Sequence, residues 1–271
     1  MSSNLNLNNN VKPVLRWAGS KKRLLNRLMA KVPSNFERYV EPFCGSIVLH
    51  IALCPPKAYV GDINIELINF YNNLKLYPEE VAEQLHCMPR TKEYYYEIRK
   101  KSPSGMSDFE RSVRFFYLNR HCFNGVYRTN KKGDFNVPFG SKLSSLPTVE
   151  DVTLFSERIK DTCFVASDFQ KVVEKTVSGD FLYLDPPYAG GGKDRGEYGV
   201  GSFKENDIDR LQDVLKEASQ RDVKILLSYA DTPKIRECFS SWHIESFEVG
   251  RSVSGFARGR KNVKELLISN Y

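Results

Sequence analysis

The fold of this chain is decided by the segment Phe181-Leu182-Tyr183-Leu184-Asp185-Pro186-Pro187-Tyr188. Its first half is an apolar run, which predicts a strand buried inside a parallel sheet. Two prolines cannot continue a strand, so the chain must turn at the carboxyl end of that strand, the edge at which open α/β sheets bind their ligands.

The turn after this strand holds a carboxylate, proline-restrained carbonyls and an aromatic ring close together. Such a group suits a flat base that carries an exocyclic amine. The carboxylate and a carbonyl accept its two N–H bonds, while the ring stacks on its face. An ordinary tight turn with an exposed tyrosine is the alternative, since Cys54-Pro55-Pro56-Lys57 also contains two consecutive prolines.

The composition allows a real hydrophobic core and favours an anionic partner. The 271 residues are 41% hydrophobic, which is enough for one large domain or for one core with an inserted lobe. A formal net charge of +7 favours an anionic partner without identifying it. No apolar run approaches the roughly 20 residues that a membrane span requires, so no membrane association is expected.

The cysteines and the amino-terminal residues favour a reducing, cytoplasmic setting. Six cysteines are scattered along the chain without a Cys-x-x-Cys pair, and a disulfide framework is not expected at this length. His86-Cys87 and His121-Cys122 lack the spacing of a zinc site, so no metal site is predicted. Residues 1–10 are polar and Asn-rich, which predicts a disordered tail and not a signal peptide. Nothing in the sequence indicates an obligatory protein partner.

Alternating strand and helix patterns predict an α/β core that a helical insert interrupts. The patterns of the core are strands at Tyr39-Val40, Ala58 to Ile63, Cys163 to Ala166, Phe181 to Leu184, Val223 to Tyr229, Trp242 to Val249 and Val263 to Ser269, and helices at Lys22 to Lys31, Ile47 to Leu53, Asn64 to Leu74, Phe169 to Val177 and Glu205 to Ser219. Consecutive helices are predicted for Pro78 to Met88, Thr91 to Lys100 and Ser107 to Arg120, followed by a glycine-containing loop. We therefore assign residues 11–75 and 163–271 to the core and residues 76–162 to the insert.

Two acidic segments of the core predict a nucleoside cofactor. Glu41-Pro42-Phe43-Cys44-Gly45-Ser46 occupies the first strand-to-helix turn, where a glycine lets the backbone approach a ligand. Asp62 ends the next strand, about 20 residues on, where an acid can bind both hydroxyls of a ribose. The chain has no Gly-x-Gly-x-x-Gly turn for a pyrophosphate, and S-adenosylmethionine fits a nucleoside cofactor of this kind.

The insert contains a basic, aromatic segment that suits DNA. Residues 111–142 include seven basic residues, seven aromatic residues and one acid, Asp134. Basic side chains for phosphates, interleaved with rings that stack or wedge, are what a DNA-reading element needs. Phe115 and Phe116 are assigned to the core of the insert. Arg128 lies in a loop flanked by glycines, from which it can reach O6 and N7 of a guanine bidentately.

Several motifs in order resemble the DNA adenine-N6 methyltransferases, in particular the Dam-like enzymes of the D12 class. They are Leu15-Arg16-Trp17-Ala18-Gly19-Ser20-Lys21, Glu41-Pro42-Phe43-Cys44-Gly45, Asn119-Arg120-His121-Cys122-Phe123-Asn124-Gly125-Val126-Tyr127-Arg128, Phe135-Asn136-Val137-Pro138-Phe139-Gly140, Asp185-Pro186-Pro187-Tyr188 and Arg260-Lys261-Asn262-Val263-Lys264-Glu265-Leu266-Leu267. The resemblance implies a Rossmann-like core dependent on S-adenosylmethionine, with a helical insert that recognises the DNA target.

The resemblance also implies cofactor-binding residues at the sheet edge. Trp17 and Lys21 match the segment that closes over the cofactor, where Lys21 can pair with the methionine carboxylate and Trp17 packs nearby. Phe43 and Gly45 lie in the cofactor turn, and Asp62 matches the ribose-binding acid.

A further cofactor contact is implied at Ser167-Asp168-Phe169, which matches the segment at the cofactor adenine. Asp168 would accept a hydrogen bond and Phe169 would stack, although Asp168 can equally cap the next helix. Asp185 borders both the cofactor and the target base.

Base-contacting residues are implied in the insert. The family gives Arg128 a base-reading role, places Phe123 and Asn124 at the DNA step, and brings Arg120, Asn136 and Pro138 to the DNA. The family often has tyrosine where Phe123 stands. Stacking survives that change, whereas a phosphate hydrogen bond from the hydroxyl does not.

One departure from the family concerns Ile47, which stands where the family has a second glycine. A β-branched residue does not take positive φ without cost. Either the loop runs differently in this chain, or the affinity for the cofactor is reduced.

The predicted function is methyl transfer from S-adenosylmethionine to N6 of an adenine flipped out of double-stranded DNA, within GATC or a related site. Asp185 and the Pro186 carbonyl would accept the N–H bonds of the amine, and Tyr188 would stack on the base. A role in restriction-modification is compatible with this activity. The alternatives are a cytosine-N4 methyltransferase, which can use a related tetrapeptide, and a DNA-binding protein whose cofactor site has decayed.

Overall fold

The computed structural model describes residues 11–130, 132–188, 203–250 and 262–271. The predicted tail over residues 1–10 lies outside the described residues, as do Arg260 and Lys261 of the C-terminal motif. Within the described ranges, no helix combines the length and the apolar character needed to cross a membrane.

Seven strands of the described residues form one sheet. They are β1 (Arg38–Glu41), β2 (Ala58–Asp62), β3 (Thr162–Ala166), β4 (Asp180–Leu184), β5 (Lys224–Ala230), β6 (His243–Gly250) and β7 (Asn262–Ser269). Their spatial order is β3-β2-β1-β4-β5-β7-β6. The first five are parallel, and β7 runs antiparallel to both of its neighbours. The predicted Rossmann-like α/β core is confirmed.

The helices pack on both faces of this sheet. They are α1 (Leu25–Lys31), α2 (Val48–Leu53), α3 (Ile65–Leu76), α4 (Pro78–Cys87), α5 (Lys92–Lys100), α6 (Asp108–His121), α7 (Val149–Ile159), α8 (Phe169–Glu174), α9 (Asp207–Gln220) and α10 (Pro233–Cys238). The central strand β4 is buried along its whole length, as its apolar run predicts. Its alternate residues point to opposite faces of the sheet and belong to two hydrophobic clusters. Leu182 and Leu184 pack with α8, α9 and α10, and Phe181 and Tyr183 pack with α1 to α7.

The predicted helices of the insert are present and share the core of the sheet. Helix α6 begins with a capping box between Ser107 and Glu110. Its ring Phe116 lies 4.9 Å from the ring of Phe70 on α3, measured between centroids. Phe115 and Phe116 are buried, as predicted. The division into residues 76–162 and a separate core remains a prediction.

Two helices were not predicted, and several boundaries move. Helix α7 forms where the sequence predicts loop, and a capping box of Thr148 and Asp151 precedes its buried apolar residues. Helix α10 is only six residues long. The helix predicted for Phe169 to Val177 ends at Glu174, because Asp180 accepts the amide of Val177 and turns the chain into β4.

Candidate active site

A cavity of about 810 Å³ opens where the parallel strands end. Its walls come from the turns after β1, β2, β3 and β4, from the amino-terminal segment and from the insert. The predicted site residues that line it are Trp17, Lys21, Phe43, Gly45, Asp62, Arg120, Asn124, Asp168, Phe169, Asp185, Pro186 and Tyr188. The other predicted DNA-contacting residues, Phe123, Arg128, Asn136 and Pro138, are not among the residues that line it.

The turn after β1 has left-handed backbone at two positions. Gly45 has φ of 44°, and a Cβ built on it would lie 2.8 Å from Cδ1 of Trp17, so only glycine fits beneath this indole ring. Ile47 has φ of 43° with its side chain buried, and its amide donates to the carbonyl of Cys44. Ile47 therefore takes a left-handed backbone that glycine adopts without cost, and the packing of its buried side chain holds the strain. The expectation of either a different course of the loop or a reduced cofactor affinity stays a prediction.

Asp62 lies at the carboxyl end of β2 with both oxygens held by backbone amides. Oδ2 accepts from Gly45 N at 3.3 Å, and Oδ1 accepts from Asn64 N at 2.9 Å. Burial raises the pKa of Asp62 to about 6, against the opposing effect of these hydrogen bonds. Asn64 caps α3, as predicted, by accepting from the amides of Glu66 and Leu67. The carboxylate that the sequence predicts as a ribose acceptor is thus fixed at the rim of the cavity.

An aromatic wall stands at the end of the cavity near β3. The rings of Phe43 and Phe169 are stacked with centroids 5.3 Å apart, which is too close for a third ring between them. Phe203 meets Phe43 edge-on at 5.8 Å. Asp168 caps α8 through the amide of Gln170 and also pairs with Arg210 at 2.8 Å. The capping role foreseen for Asp168 is therefore present. Its contact with an adenine remains a prediction.

Lys21 ties the tetrapeptide at residues 185–188 to the amino-terminal segment. The Nζ atom of Lys21 lies 2.8 Å from Oδ1 of Asp185 and donates to the Tyr188 hydroxyl at 3.0 Å. Burial alone would lower the pKa of Lys21, but the charge of Asp185, followed by Tyr183 and Glu265, raises it overall. The ammonium is thus engaged by the turn after β4. Its predicted pairing with the methionine carboxylate remains a prediction.

Asp185 is held through one oxygen atom. The hydroxyl of Ser228 on β5 donates to Oδ1 at 2.9 Å, beside the Lys21 contact to the same atom. Among the described residues, no hydrogen bond ends on Oδ2. Asp185 therefore offers one oriented acceptor atom to a ligand of the cavity.

Three polar residues of this site were not predicted: Glu41, Ser228 and Glu265. Glu41 is buried at the end of β1, where Tyr39 donates to it at 2.9 Å. Burial raises the pKa of Glu41 well above its usual value, against the opposing effect of the Tyr39 hydrogen bond. Glu265 lies on β7 with its carboxylate beside Lys21. An acid inside an apolar strand is the signal that marks Glu265, and an acid at the end of a buried strand is the signal that marks Glu41.

Apart from Arg120 on α6, the residues of the insert that are predicted to contact DNA lie in a loop over residues 122–139. Two antiparallel bridges, Cys122–Phe139 and Thr129–Phe135, hold the two sides of this loop together. Phe123 is 42% exposed, and its amide donates to the carbonyl of Pro138 at 2.9 Å. Asn124, which follows Phe123, has a left-handed backbone with φ of 54°, so the chain turns there. An exposed ring at such a turn is suited to contact a base.

Arg120 differs from the other predicted DNA contacts because the protein already holds its guanidinium group. It donates to the carbonyl of Val14 at 3.1 Å, and also to the Ser144 hydroxyl and the Ser145 carbonyl. Burial lowers the pKa of Arg120 to about 10. These contacts join the amino-terminal segment to the end of the insert. A direct contact of Arg120 with DNA remains a prediction.

Known proteins that are similar to this chain match it over nearly its whole length. The family model for D12 class N6 adenine-specific DNA methyltransferases matches residues 17–253. A type II methyltransferase of Lactococcus lactis subsp. cremoris is 33% identical, over 97% of this chain and 96% of that protein. A DNA adenine methylase of Haemophilus influenzae is 32% identical, over 94% of this chain and 92% of that protein. A DNA adenine methylase of Vibrio cholerae is also 32% identical, over 93% and 94%.

Proposed function

Because this chain belongs to the D12 class N6 adenine-specific DNA methyltransferases, we propose that it methylates N6 of an adenine flipped out of double-stranded DNA, with S-adenosylmethionine as donor. The observation that carries this proposal is the orientation of Asp185. Its Oδ1 is held by Lys21 and Ser228, while Oδ2 is left for a ligand of the cavity. A carboxylate presented in this way is suited to accept a hydrogen bond from an exocyclic amine.

The cavity fits the proposed cofactor. Asp62 would accept hydrogen bonds from the ribose hydroxyls, and the Phe43–Phe169 pair offers an apolar wall for the adenine. Gly45 brings backbone within reach of the ligand at a place where Trp17 leaves no room for a Cβ atom. When bound there, S-adenosylmethionine supplies an activated methyl group on a sulfonium.

The residues of the catalytic turn would prepare the target amine. Its nitrogen is a poor nucleophile because the lone pair delocalises into the ring. Asp185 and the Pro186 carbonyl would accept its two N–H bonds and draw the nitrogen toward sp³ geometry. Asp185 would then face the positive charge that develops on N6, and the ring of Tyr188 would hold the base in plane. Extruding the base costs a few kcal/mol, which contacts in the cavity offset.

We infer GATC or a related site as the target, from the resemblance of the insert to Dam-type readers. The DNA adenine methylases among the relatives support adenine as the target base. The type II name of the Lactococcus relative supports a role in restriction-modification. A DNA substrate also fits the cytoplasmic setting expected from the cysteine pattern.

The test is methyl transfer by the purified protein from tritiated S-adenosylmethionine to unmethylated duplexes. One duplex contains GATC, and a matched duplex has one base pair of the site changed. We expect label only in the first, and the modified nucleoside should be N6-methyladenine. DNA from an expressing host that lacks adenine methylation should carry the same mark when sequenced by a modification-sensitive method. Label in cytosine, or no transfer, contradicts the proposal.

A further inference from the structure

The carboxylate of Glu265 is buried beside the catalytic turn, and its Oε2 atom has no hydrogen-bond partner among the described residues. Its side chain is 7% exposed. Glu265 lies on β7 between Lys264 and Leu266, and it shares the face of the strand on which Leu267 joins the hydrophobic core. A buried carboxylate in such a place costs folding free energy unless a cation balances it.

The balancing cation is Lys21. Its Nζ atom lies 3.9 Å from Oε2 of Glu265 and 2.8 Å from Oδ1 of Asp185, so one ammonium faces two carboxylates. At these distances the lysine is hydrogen-bonded to Asp185, and its charge also acts on the carboxylate of Glu265.

The charge of this cluster matters for the proposed reaction. Methylation moves positive charge onto N6, next to Asp185, and a lysine bonded to Asp185 opposes that change. Glu265 offsets the lysine, because the two carboxylates together leave one negative charge in excess.

We propose that Glu265 is a positioning residue of this methyltransferase, which shares the Lys21 ammonium with Asp185 so that Asp185 keeps its negative charge for the target amine. This inference rests on the proposed function. Lys21 stays bonded to Oδ1 of Asp185, while Glu265, 3.9 Å from the same ammonium, offsets part of its positive charge. Glu265 thus acts through Lys21 and does not touch the substrate.

The experiment is a single-turnover assay of Glu265→Gln, which keeps the shape of the side chain and removes its charge. We expect the rate of methyl transfer to fall on the order of tenfold, the effect of about one pKa unit of charge interaction. The dissociation constants for cofactor and DNA should stay within about threefold. Glu265→Asp, which keeps the charge, should recover most of the rate. An unchanged rate, or equal losses in Glu265→Gln and Glu265→Asp, overturns the inference.

The matched control is Glu245→Gln. Glu245 lies on the neighbouring strand β6 and pairs with Arg27 and Lys31, away from the cavity. The rate of methyl transfer by Glu245→Gln should equal that of the wild type. Thermal melting of both variants separates loss of fold from loss of function. If Glu265→Gln melts at the wild-type temperature and still transfers slowly, a purely structural role is excluded.

Coupling to Lys21 gives the second readout. If Glu265 acts through the lysine, Glu265→Gln should have little further effect in a Lys21→Gln background. Independent, multiplicative losses would mean that Glu265 does not act through Lys21. Absence of methyl transfer by the wild type would instead refute the proposed function, so the two failures are distinguishable.

Discussion

Arg128 donates from Nε to Oδ1 of Asn136 at 2.7 Å, across the antiparallel loop of the insert. The backbone supports the same pairing, because the amide of Asn136 donates to the carbonyl of Arg128 at 3.0 Å. Within the described residues, the terminal nitrogens of Arg128 make no hydrogen bond. Asn136 therefore orients a guanidinium group whose outer edge remains available for bidentate contact with a guanine.

Arg128→Ala should weaken binding mainly at the cognate site, by roughly 1–3 kcal/mol, and relax the preference at one base position. Arg128→Lys should lose most of the same discrimination, since an ammonium cannot make the bidentate contact. Competition binding with single-base variants of the site, at two salt concentrations, measures both effects. An equal loss on all sequences with a smaller salt dependence would assign Arg128 to a phosphate.

Asn136→Ala tests the orientation of that arginine. We expect a smaller loss of discrimination than for Arg128→Ala, about 1 kcal/mol, because the contact survives with a less ordered side chain. In the double variant the losses should not add. Additive losses in the same competition assay would show that Asn136 contacts DNA independently.

Asp185→Ala should lower kcat by a factor on the order of 10² or more while leaving DNA binding nearly intact. Asp185→Asn is the better matched variant, because it keeps the shape of the side chain beside Ser228 and Lys21. Both variants lose the charge that faces the developing ammonium, so both should be slow. Turnover near that of the wild type in either variant would refute the mechanism.

The raised pKa of Asp62, about 6, predicts that folding stability falls and cofactor affinity rises as the pH increases. The folded state holds this proton more tightly than the unfolded state. Its contribution to stability is therefore present below about pH 4 and is lost as the pH rises through about 6. The affinity for S-adenosylmethionine should rise over the same window, because only the ionised carboxylate accepts from both ribose hydroxyls.

Calorimetry of cofactor binding at several pH values tests the second dependence. Asp62→Asn should weaken binding and flatten the profile between pH 5 and pH 7, the range around a pKa of about 6. Asp62→Ala should cost roughly 1–3 kcal/mol of cofactor affinity at neutral pH. If neither variant changes the affinity, the cofactor does not bind at Asp62.

The variant Ile47→Gly changes stability in two opposite ways, because it relieves backbone strain and removes a buried side chain. Glycine removes the strain of the left-handed backbone, which stabilises the fold by about 1–2 kcal/mol. It also removes a buried side chain, which destabilises the fold by about 2–5 kcal/mol. The variant should therefore be less stable by about 1–3 kcal/mol, because burial outweighs strain. Cofactor affinity should change by less than about threefold, since the loop already has the backbone of glycine. Urea unfolding and calorimetry measure the two quantities, and markedly tighter binding would show that Ile47 does impair the cofactor site.

The sequence by itself determined the α/β core, the strand β4 and the turn that follows it. Apolar runs, prolines and capping residues act over a few neighbouring residues, so they can be recognised without the fold. The same holds for Asn64 as a cap and for the buried pair Phe115 and Phe116. Helix α7 has an equally local signal, the capping box of Thr148 and Asp151, but it follows a glycine-containing loop whose end no single residue marks.

Only the tertiary structure decided what surrounds Asp185. Lys21 and Ser228 contact it from the amino-terminal segment and β5, and Glu265 faces Lys21 from β7, so the cluster joins segments that are far apart in the chain. The order of strands in the sheet places β4, β5 and β7 side by side. Because a buried charge is costly without a partner, burial then determines which charged side chains pair. The left-handed backbone of Ile47 likewise depends on packing, because its local preference opposes that conformation. Local patterns encode strands and turns, whereas desolvation and long-range pairing arise only once the sheet has formed.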